Sequence, residues 1–290
     1  MTEGLIIVDW GSSNLRIYLV DSKGQVLEEH HAATGISSIL PSKIIPTLLN
    51  SIATWPRVPI LCSGMIGSKN GMVETPYLTC PINTNQLAQA ILDVSSLLQR
   101  EAYIVPGVSF HSSGFIDVIR GEETIAIGVH SNDQIMQVCL PGTLSKWLSL
   151  QEETILNFQT YPTGELFACI PSSPIFQYSF QKNTPHCEQS FTAGLTQSQQ
   201  GTSLSQQLFS LRSNYLFTKN WNAHSFLSGL LIGHEVSNAC CTDEVLLIAN
   251  DHLGQRYQSA FQHLLPEVEI TVLNEQNTLL QGARTLWERR

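Results

Sequence analysis

Leu5-Ile-Ile-Val-Asp9-Trp-Gly11-Ser-Ser-Asn14-Leu-Arg16-Ile-Tyr-Leu-Val20 sets two apolar, β-branched runs on either side of a short polar turn. Such runs favour strands, so the stretch predicts a β-hairpin with Asp9, Gly11, Ser12, Ser13 and Asn14 at its tip. An Asp at the end of a buried strand can hold a hydrated Mg²⁺, Gly11 lets the backbone approach a phosphate, and the following amides and hydroxyls can donate to it. A solvated structural turn would carry the same residues. Arg16 interrupts the second run and either faces solvent or reaches the same anion.

Outward from the hairpin, Gln25 to His30 alternates as a third antiparallel strand. Pro41 to Ala53 has helical spacing with Ser42 as an early cap, and Val58 to Cys62 reads as a buried parallel strand. Three antiparallel strands followed by alternating helices and parallel strands is the ribonuclease-H-like order. The glycine-bearing stretch Ser63 to Gly71 then lies at a strand's carboxyl end, where open α/β sheets bind ligands. Gly64, Gly67 and Ser68 are candidate substrate contacts there; an ordinary long loop is the alternative. Gln86 to Leu98 reads as one amphipathic helix and Ala102 to Val105 as another short strand.

Asp117-Val-Ile-Arg120-Gly121-Glu122-Glu123-Thr124 should start a helix near Gly121. Carboxylates in a first turn are favoured by the helix dipole, and that alone accounts for Glu122 and Glu123; alternatively one of them is the general base for a sugar hydroxyl. The pattern then restarts. Ile135 to Leu140 is a strand, Pro141-Gly142-Thr143-Leu144-Ser145-Lys146 a turn, and Trp147 to Leu150 and Thr154 to Phe158 two further strands. Gly142 and Thr143 would hold phosphates and Ser145 would meet substrate, while Lys146 would neutralise phosphate or bind a substrate carboxylate, unless it is a solvated surface charge. Thr163-Gly164-Glu165-Leu166 opens another helix and offers Glu165 as a rival carboxylate. Leu204 to Leu216 and Asn222 to Ala239 read as helices, Glu244 to Ala249 as a buried strand, Asn250 to Gly254 as a turn, and Gln255 to Leu265 as a helix. The expected architecture is α/β, with two ribonuclease-H-like lobes at 1–131 and 132–290 and a cleft between them.

Composition limits the alternatives. At 290 residues and 42% hydrophobic content the chain can build two cores. A net charge of -9 with 13% charged residues, and no Lys/Arg cluster, argues against a nucleic-acid partner. Seven scattered Cys without a Cys-x-x-Cys pair fit a reducing, cytoplasmic setting, and no basic leader or membrane-length apolar run is seen. The longest candidate, Phe226 to Val236, is broken by Ser228, His234 and Glu235. The nine His form no metal motif, and no Gly-x-Ser-x-Gly elbow supports a serine hydrolase.

The spacing Asp9-x-Gly11-x-x-x-x-Arg16 resembles the phosphate-1 motif of the actin, hexokinase and heat-shock chaperone ATPase superfamily. Adding Gly64-Met-Ile-Gly67-Ser68, Arg120-Gly-Glu-Glu-Thr124, Leu140-Pro-Gly-Thr143, Ser145-Lys-Trp147, Phe191-Thr-Ala-Gly-Leu195 and Leu227-Ser-Gly-Leu-Leu-Ile-Gly233, the chain resembles the 2-dehydro-3-deoxygalactonokinase family. That resemblance implies ATP-dependent phosphorylation of 2-dehydro-3-deoxy-D-galactonate on its 6-hydroxyl, in galactonate catabolism. It also implies a sugar-acid side in the first lobe and a nucleotide side in the second, with a homodimer left open. The expected roles are Asp9 for Mg²⁺, Glu122 for the base, and Gly11, Ser12, Ser13, Gly142, Thr143, Asn250 and Asp251 for ATP. Gly64, Gly67, Ser68, Ser145 and Lys146 fall to substrate, with Arg120 or Lys146 meeting its carboxylate. The family pattern has His where Leu144 stands, Met where Pro162 stands, and Gly-Thr-Ser where Asn250, Asp251 and His252 stand. A sugar-acid sensor with a weakened kinase fold, or a kinase for another hexonate or sugar, are the alternatives.

Overall fold

The opening hairpin forms as the sequence predicts. In the computed structural model β1 (Leu5–Trp10) pairs antiparallel with β2 (Leu15–Val20), placing Asp9 directly opposite Arg16. All of β1 is buried, so the strand lies inside the protein on both faces. Side chains of this size contribute about 1.5–3 kcal/mol each when buried, which fixes the register firmly. The structure describes residues 4–130, 133–181, 184–218, 221–240 and 242–290, with only the backbone at Asp251. Two compact units result: Met1–Ile135 with Leu148–Phe158 and Glu275–Arg290, and Met136–Trp147 with Gln159–Asn274. The expected boundary at 131/132 falls outside the described residues. Residues 148–158 and 275–290, assigned from sequence to the second lobe, cluster with the first unit.

The first unit continues with β3 (Val26–Ala32), α1 (Pro41–Ser51), β4 (Ile60–Gly64), β5 (Tyr77–Thr79), β6 (Ile82–Asn83), α2 (Thr84–Gln89), β7 (Leu92–Asp93), α3 (Ser95–Leu98), β8 (Ala102–Ile104), β9 (Gly107–Ser112), β10 (Phe115–Ile119) and α4 (Glu122–Ile127). Its main sheet runs β3-β2-β1-β4-β8-β7, with β4 parallel to both β1 and β8. Ile6, Val8, Leu15, Ile17, Ile60 and Ile104 meet Ile44 and Leu48 of α1 in its core. A smaller sheet, β10-β9-β5, carries the chain toward α4.

Several local expectations are corrected. The single helix over Gln86–Leu98 is three elements. Asn83 and Gln86 form a capping box that starts α2 early, and the chain then pairs at Leu92–Asp93 with β8 before the short α3. Ser42 does not cap α1: Leu40 is its N-cap, without a side-chain hydrogen bond, and Pro41 starts the helix with its fixed φ. The β9-β10 hairpin has no counterpart in the sequence reading.

The chain continues with β11 (Met136–Leu140), β12 (Ser145–Gln151), β13 (Thr154–Tyr161), α5 (Thr163–Cys169), α6 (Glu188–Ser198), α7 (Leu204–Leu208), α8 (Ser210–Phe217), α9 (Ala223–Ala239), β14 (Glu244–Ile248), α10 (Asp251–Leu264) and β15 (Glu269–Leu273), all in the second unit except Leu148–Phe158 of β12 and β13. The closing helix α11 (Glu275–Arg289) belongs to the first unit. The sheet order is β15-β14-β11-β12-β13, with β6 paired to β13 at Ile82 and Asn83. Since β13-β12-β11-β14-β15 repeats β3-β2-β1-β4-β8, the two halves share the ribonuclease-H-like order. The segment 204–216 is broken near Phe209 into α7 and α8. The turn expected at Asn250–Gly254 is instead the first turn of α10, because the Asn250 side chain accepts from Leu253 N and caps the helix. Among the described residues no helix is long and apolar enough to cross a membrane.

Candidate functional site

Parallel pairing of β1 with β4 places Asp9 beside Ser63, and Trp10 beside Gly64, at their carboxyl ends. Gly64 has φ +90°, and a Cβ there would stand 2.8 Å from Trp10 O and 3.4 Å from Asp9 Oδ1. Only glycine leaves this corner open. A Cβ on Gly121 would lie 3.1 Å from the Gly64 Cα, so the start of α4 rests on the same corner. The glycine contact therefore joins the two acidic stretches singled out in the sequence.

Asp9 is 8% exposed, and Arg16 Nε donates to its Oδ2 at 2.8 Å. The same guanidinium donates to Glu275 Oε1 at 2.8 Å, at the start of α11. Arg16 thus reaches the acid rather than facing solvent. Burial raises the Asp9 pKa, while Arg16 opposes the shift. A single carboxylate in a cradle emptied by Gly64 fits a hydrated Mg²⁺, which takes one or two protein carboxylates and keeps the rest of its shell for water and phosphate. Gly11 closes the hairpin tip through its N–H to Asn14 O at 2.9 Å, with Ser12 and Ser13 exposed.

At the start of α4, Glu122 is partly exposed, and its Oε2 accepts from Arg120 N at 3.0 Å. Glu123 points inward and is fully buried. Its Oε2 accepts from Gly121 N at 2.6 Å and its Oε1 from Thr124 Oγ1 at 3.2 Å, while Ser63 Oγ and Thr124 Oγ1 share a hydrogen bond at 2.6 Å. Burial, then the neighbouring Glu122 charge, push the Glu123 pKa up to about 7.

Arg120 is 7% exposed and lies 4.2 Å from the centre of the Tyr77 ring. Its Nη2 donates to Thr75 O at 3.0 Å and its Nη1 to Thr75 Oγ1. A Cβ on Gly67 would come within 3.1 Å of Arg120 Nη1, so the Gly64–Ser68 turn and Arg120 are neighbours. Ser68 Oγ is buried and has no hydrogen-bond partner among the described residues.

In the second unit the turn Gly142–Thr143 joins β11 to β12. Nothing stands within 4 Å of a Cβ on Gly142, whereas one on Gly164 would come to 2.7 Å from the Thr143 Cα. Glu165 N donates to Thr143 O at 2.9 Å, so the start of α5 is laid against the turn. A cavity of about 220 Å³ opens here, lined by Gly142, Thr143, Gly164, Phe167, Leu253 and Tyr257 among others. Ser145 and Lys146 are interior strand residues, not surface ones. Ser145 Oγ meets Tyr257 Oη at 3.1 Å, and Lys146 Nζ donates to Thr160 Oγ1 at 2.8 Å. Glu165 is exposed and accepts from Cys169 Sγ at 3.3 Å. Asn250 spends its side-chain oxygen on the α10 cap, and the side chain of Asp251 lies outside the described residues.

The sequence reading missed Glu235. This α9 residue is 1% exposed; its Oε1 accepts from Trp147 Nε1 at 2.9 Å, and its Oε2 from Tyr257 Oη at 2.8 Å and from Thr163 Oγ1. The available signal was a carboxylate inside the apolar run Phe226–Val236.

The sequence profile of 2-keto-3-deoxy-galactonokinase matches residues 9–286. A relative from Rhizobium meliloti (strain 1021) bearing the name 2-dehydro-3-deoxygalactonokinase is 30% identical, over 97% of this chain and 96% of its own. The Escherichia coli (strain K12) protein of that name is 28% identical, over 99% and 98%. A crystal structure from Sinorhizobium meliloti under the same kinase name superposes with a TM-score of 0.89 at 27% identity, covering 98% of this chain and 96% of that one. With matching topology in both units and a match spanning nearly the whole sequence, the chain belongs to the 2-keto-3-deoxy-galactonokinase family.

Proposed function

We propose that the protein is an ATP-dependent kinase that phosphorylates the 6-hydroxyl of 2-dehydro-3-deoxy-D-galactonate, with the sugar acid on the first unit and the nucleotide on the second. The observation that carries this reading is the Gly64–Gly121 contact, which sets the α4 carboxylates at the strand edge holding Asp9. Glu122, the more accessible of the pair, is the base. As the 6-oxygen bonds to the γ-phosphorus and the bond to the β-phosphate oxygen breaks, Glu122 takes the hydroxyl proton and ADP leaves. Mg²⁺, held by Asp9 and the phosphates, would offset charge on the triphosphate.

Gly11, Ser12 and Ser13 in the first unit, and Gly142 and Thr143 in the second, offer phosphate contacts from turns open to solvent. The cavity beside Gly142 takes the nucleoside, a role that passes from Asn250 to Phe167, Leu253 and Tyr257. Arg120 is held by Thr75 and Tyr77 beside Gly67 and binds the substrate carboxylate; Ser68 contributes a buried hydroxyl. Ser145 acts as a support of the 142–143 turn, and Lys146 is held by Thr160 of β13.

A coupled ADP-release assay with Mg-ATP and a panel of sugar acids tests the reading. Turnover should be highest with 2-dehydro-3-deoxy-D-galactonate. Turnover confined to another hexonate or a neutral sugar overturns the substrate assignment, and binding of sugar acid without ADP release marks a sensor.

A further inference from the structure

We propose that Glu235 is a positioning residue for the nucleotide turn, acting through a one-way hydrogen-bond chain that ends at the Gly142 amide. The inference rests on the nucleotide reading of that turn. Glu235 lies on α9 and lines neither the turn nor the cavity. Its partners come from three other elements: Trp147 on β12, Thr163 at the start of α5 and Tyr257 on α10.

The direction of the chain follows from the chemistry of its members. Indole N–H can only donate, and an ionised carboxylate can only accept. Tyr257 gives its proton to Glu235, so its oxygen accepts from the Ser145 hydroxyl, 3.1 Å away. Ser145 Oγ in turn accepts from Gly142 N at 3.3 Å. The peptide plane at Gly142 is thereby tied to a buried carboxyl three links away. The same carboxylate reaches the other side of the turn, because Thr163 donates to it and the following α5 residues hold Thr143 O through Glu165 N. A turn that must grip phosphate with backbone groups gains from being fixed before the ligand arrives.

Glu235→Gln keeps the shape and removes the charge that orients the chain, since the amide's NH₂ group must face at least one donor. It should raise the KM for Mg-ATP and the Kd for Mg-ADP about tenfold, with kcat and the sugar-acid KM within about twofold of the parent. Trp147→Phe removes a donor to Glu235 that lies off the chain. It should lower Tm as much as Glu235→Gln while leaving both nucleotide constants within about twofold. Ser145→Ala cuts the chain and removes the hydroxyl's own bond to Glu235 while Trp147, Thr163 and Tyr257 still donate to that carboxyl, and should reproduce the nucleotide defect even if Glu235→Gln does not fold. The inference is overturned if Trp147→Phe weakens nucleotide binding as much as Ser145→Ala, or if Ser145→Ala leaves it unchanged. Absence of Mg-ADP binding by the parent protein in calorimetry overturns the nucleotide reading itself, which separates the two failures.

Discussion

Each unit buries one glutamate behind a glycine turn, and the two are held in opposite ways. Glu123 faces a backbone N–H and two hydroxyls already bonded to each other, with Glu122 adding a like charge beside it. Glu235 is met by an indole N–H, a phenol and a threonine hydroxyl, each aimed at it. Burial raises both pKa values, but the Glu235 donors oppose the shift. Tyr257, its pKa driven far above the usual phenol range by burial and then by Glu235, stays protonated as a donor. The first unit thus holds a carboxyl whose pKa is pushed up to about 7, and the second holds one whose side-chain donors work against the upward push of burial.

The largest effect tests whether proton transfer belongs to the exposed member of the first pair. Glu122→Gln should lower kcat by about 10² or more, with the KM for Mg-ATP changed only a few-fold, as expected for loss of a general base. Glu123→Gln, whose side chain is sealed behind the helix start, should keep kcat within about tenfold. Steady-state kinetics of the two variants side by side decide it. If Glu123→Gln is the crippled one, the inner carboxyl is the base and the comparison fails in the first unit. A crippled Glu165→Gln would move the base to the other unit.

The next effect is on stability and its pH dependence. Glu123 has its pKa raised from 4.5 to about 7, so between those values the folded protein binds the proton more tightly than the unfolded chain. Stability from this group is therefore fully present below pH 4.5 and is lost as pH rises to about 7. At about 1.36 kcal/mol per pKa unit the loss amounts to about 3 kcal/mol. Glu123→Gln cannot ionise and should lack this loss, so its unfolding free energy should overtake the parent's toward pH 8. Urea unfolding across pH 4.5–8.5 reads it, and parallel curves for the two proteins would show that Glu123 is not the titrating group.

How much of this was legible in the sequence follows the same physics. The hairpin, the repeat of strand order and the helix start at Gly121 were readable because unbroken apolar runs and glycines speak locally. Arg120 was found as a cation in the right motif, but not its lock: Thr75 and Tyr77 reach it from 45 and 43 residues away. The split of 86–98 was hidden because Ile91, Leu92 and Val94 suit a helix face as well as a strand, and only pairing with β8 decides. Ser145 and Lys146 read as substrate contacts from their place after a glycine turn; that β12 is covered on both faces, so that both neighbours are buried, is not written locally. In the sequence Glu235 speaks only against a membrane span. Its meaning depends on partners 88, 72 and 22 residues away, which no local pattern carries.

The smallest effect probes the Glu235 carboxyl alone. Thr163→Val is nearly isosteric and removes one of the three donors to Glu235, leaving Trp147 and Tyr257 in place. A hydrogen bond to a charged group is worth about 1.5–3 kcal/mol, so the loss should fall in that range and at its lower end, because two partners remain. The contrast with Glu123 predicts its form as well as its size. With an indole and a phenol still opposing the upward push of burial on the Glu235 pKa, Thr163→Val should lower the whole unfolding curve by a similar amount at every pH between 5 and 8. Should the variant lose more stability at pH 8 than at pH 5, Glu235 would be titrating in the neutral range like Glu123, and the distinction between the two buried glutamates would not hold.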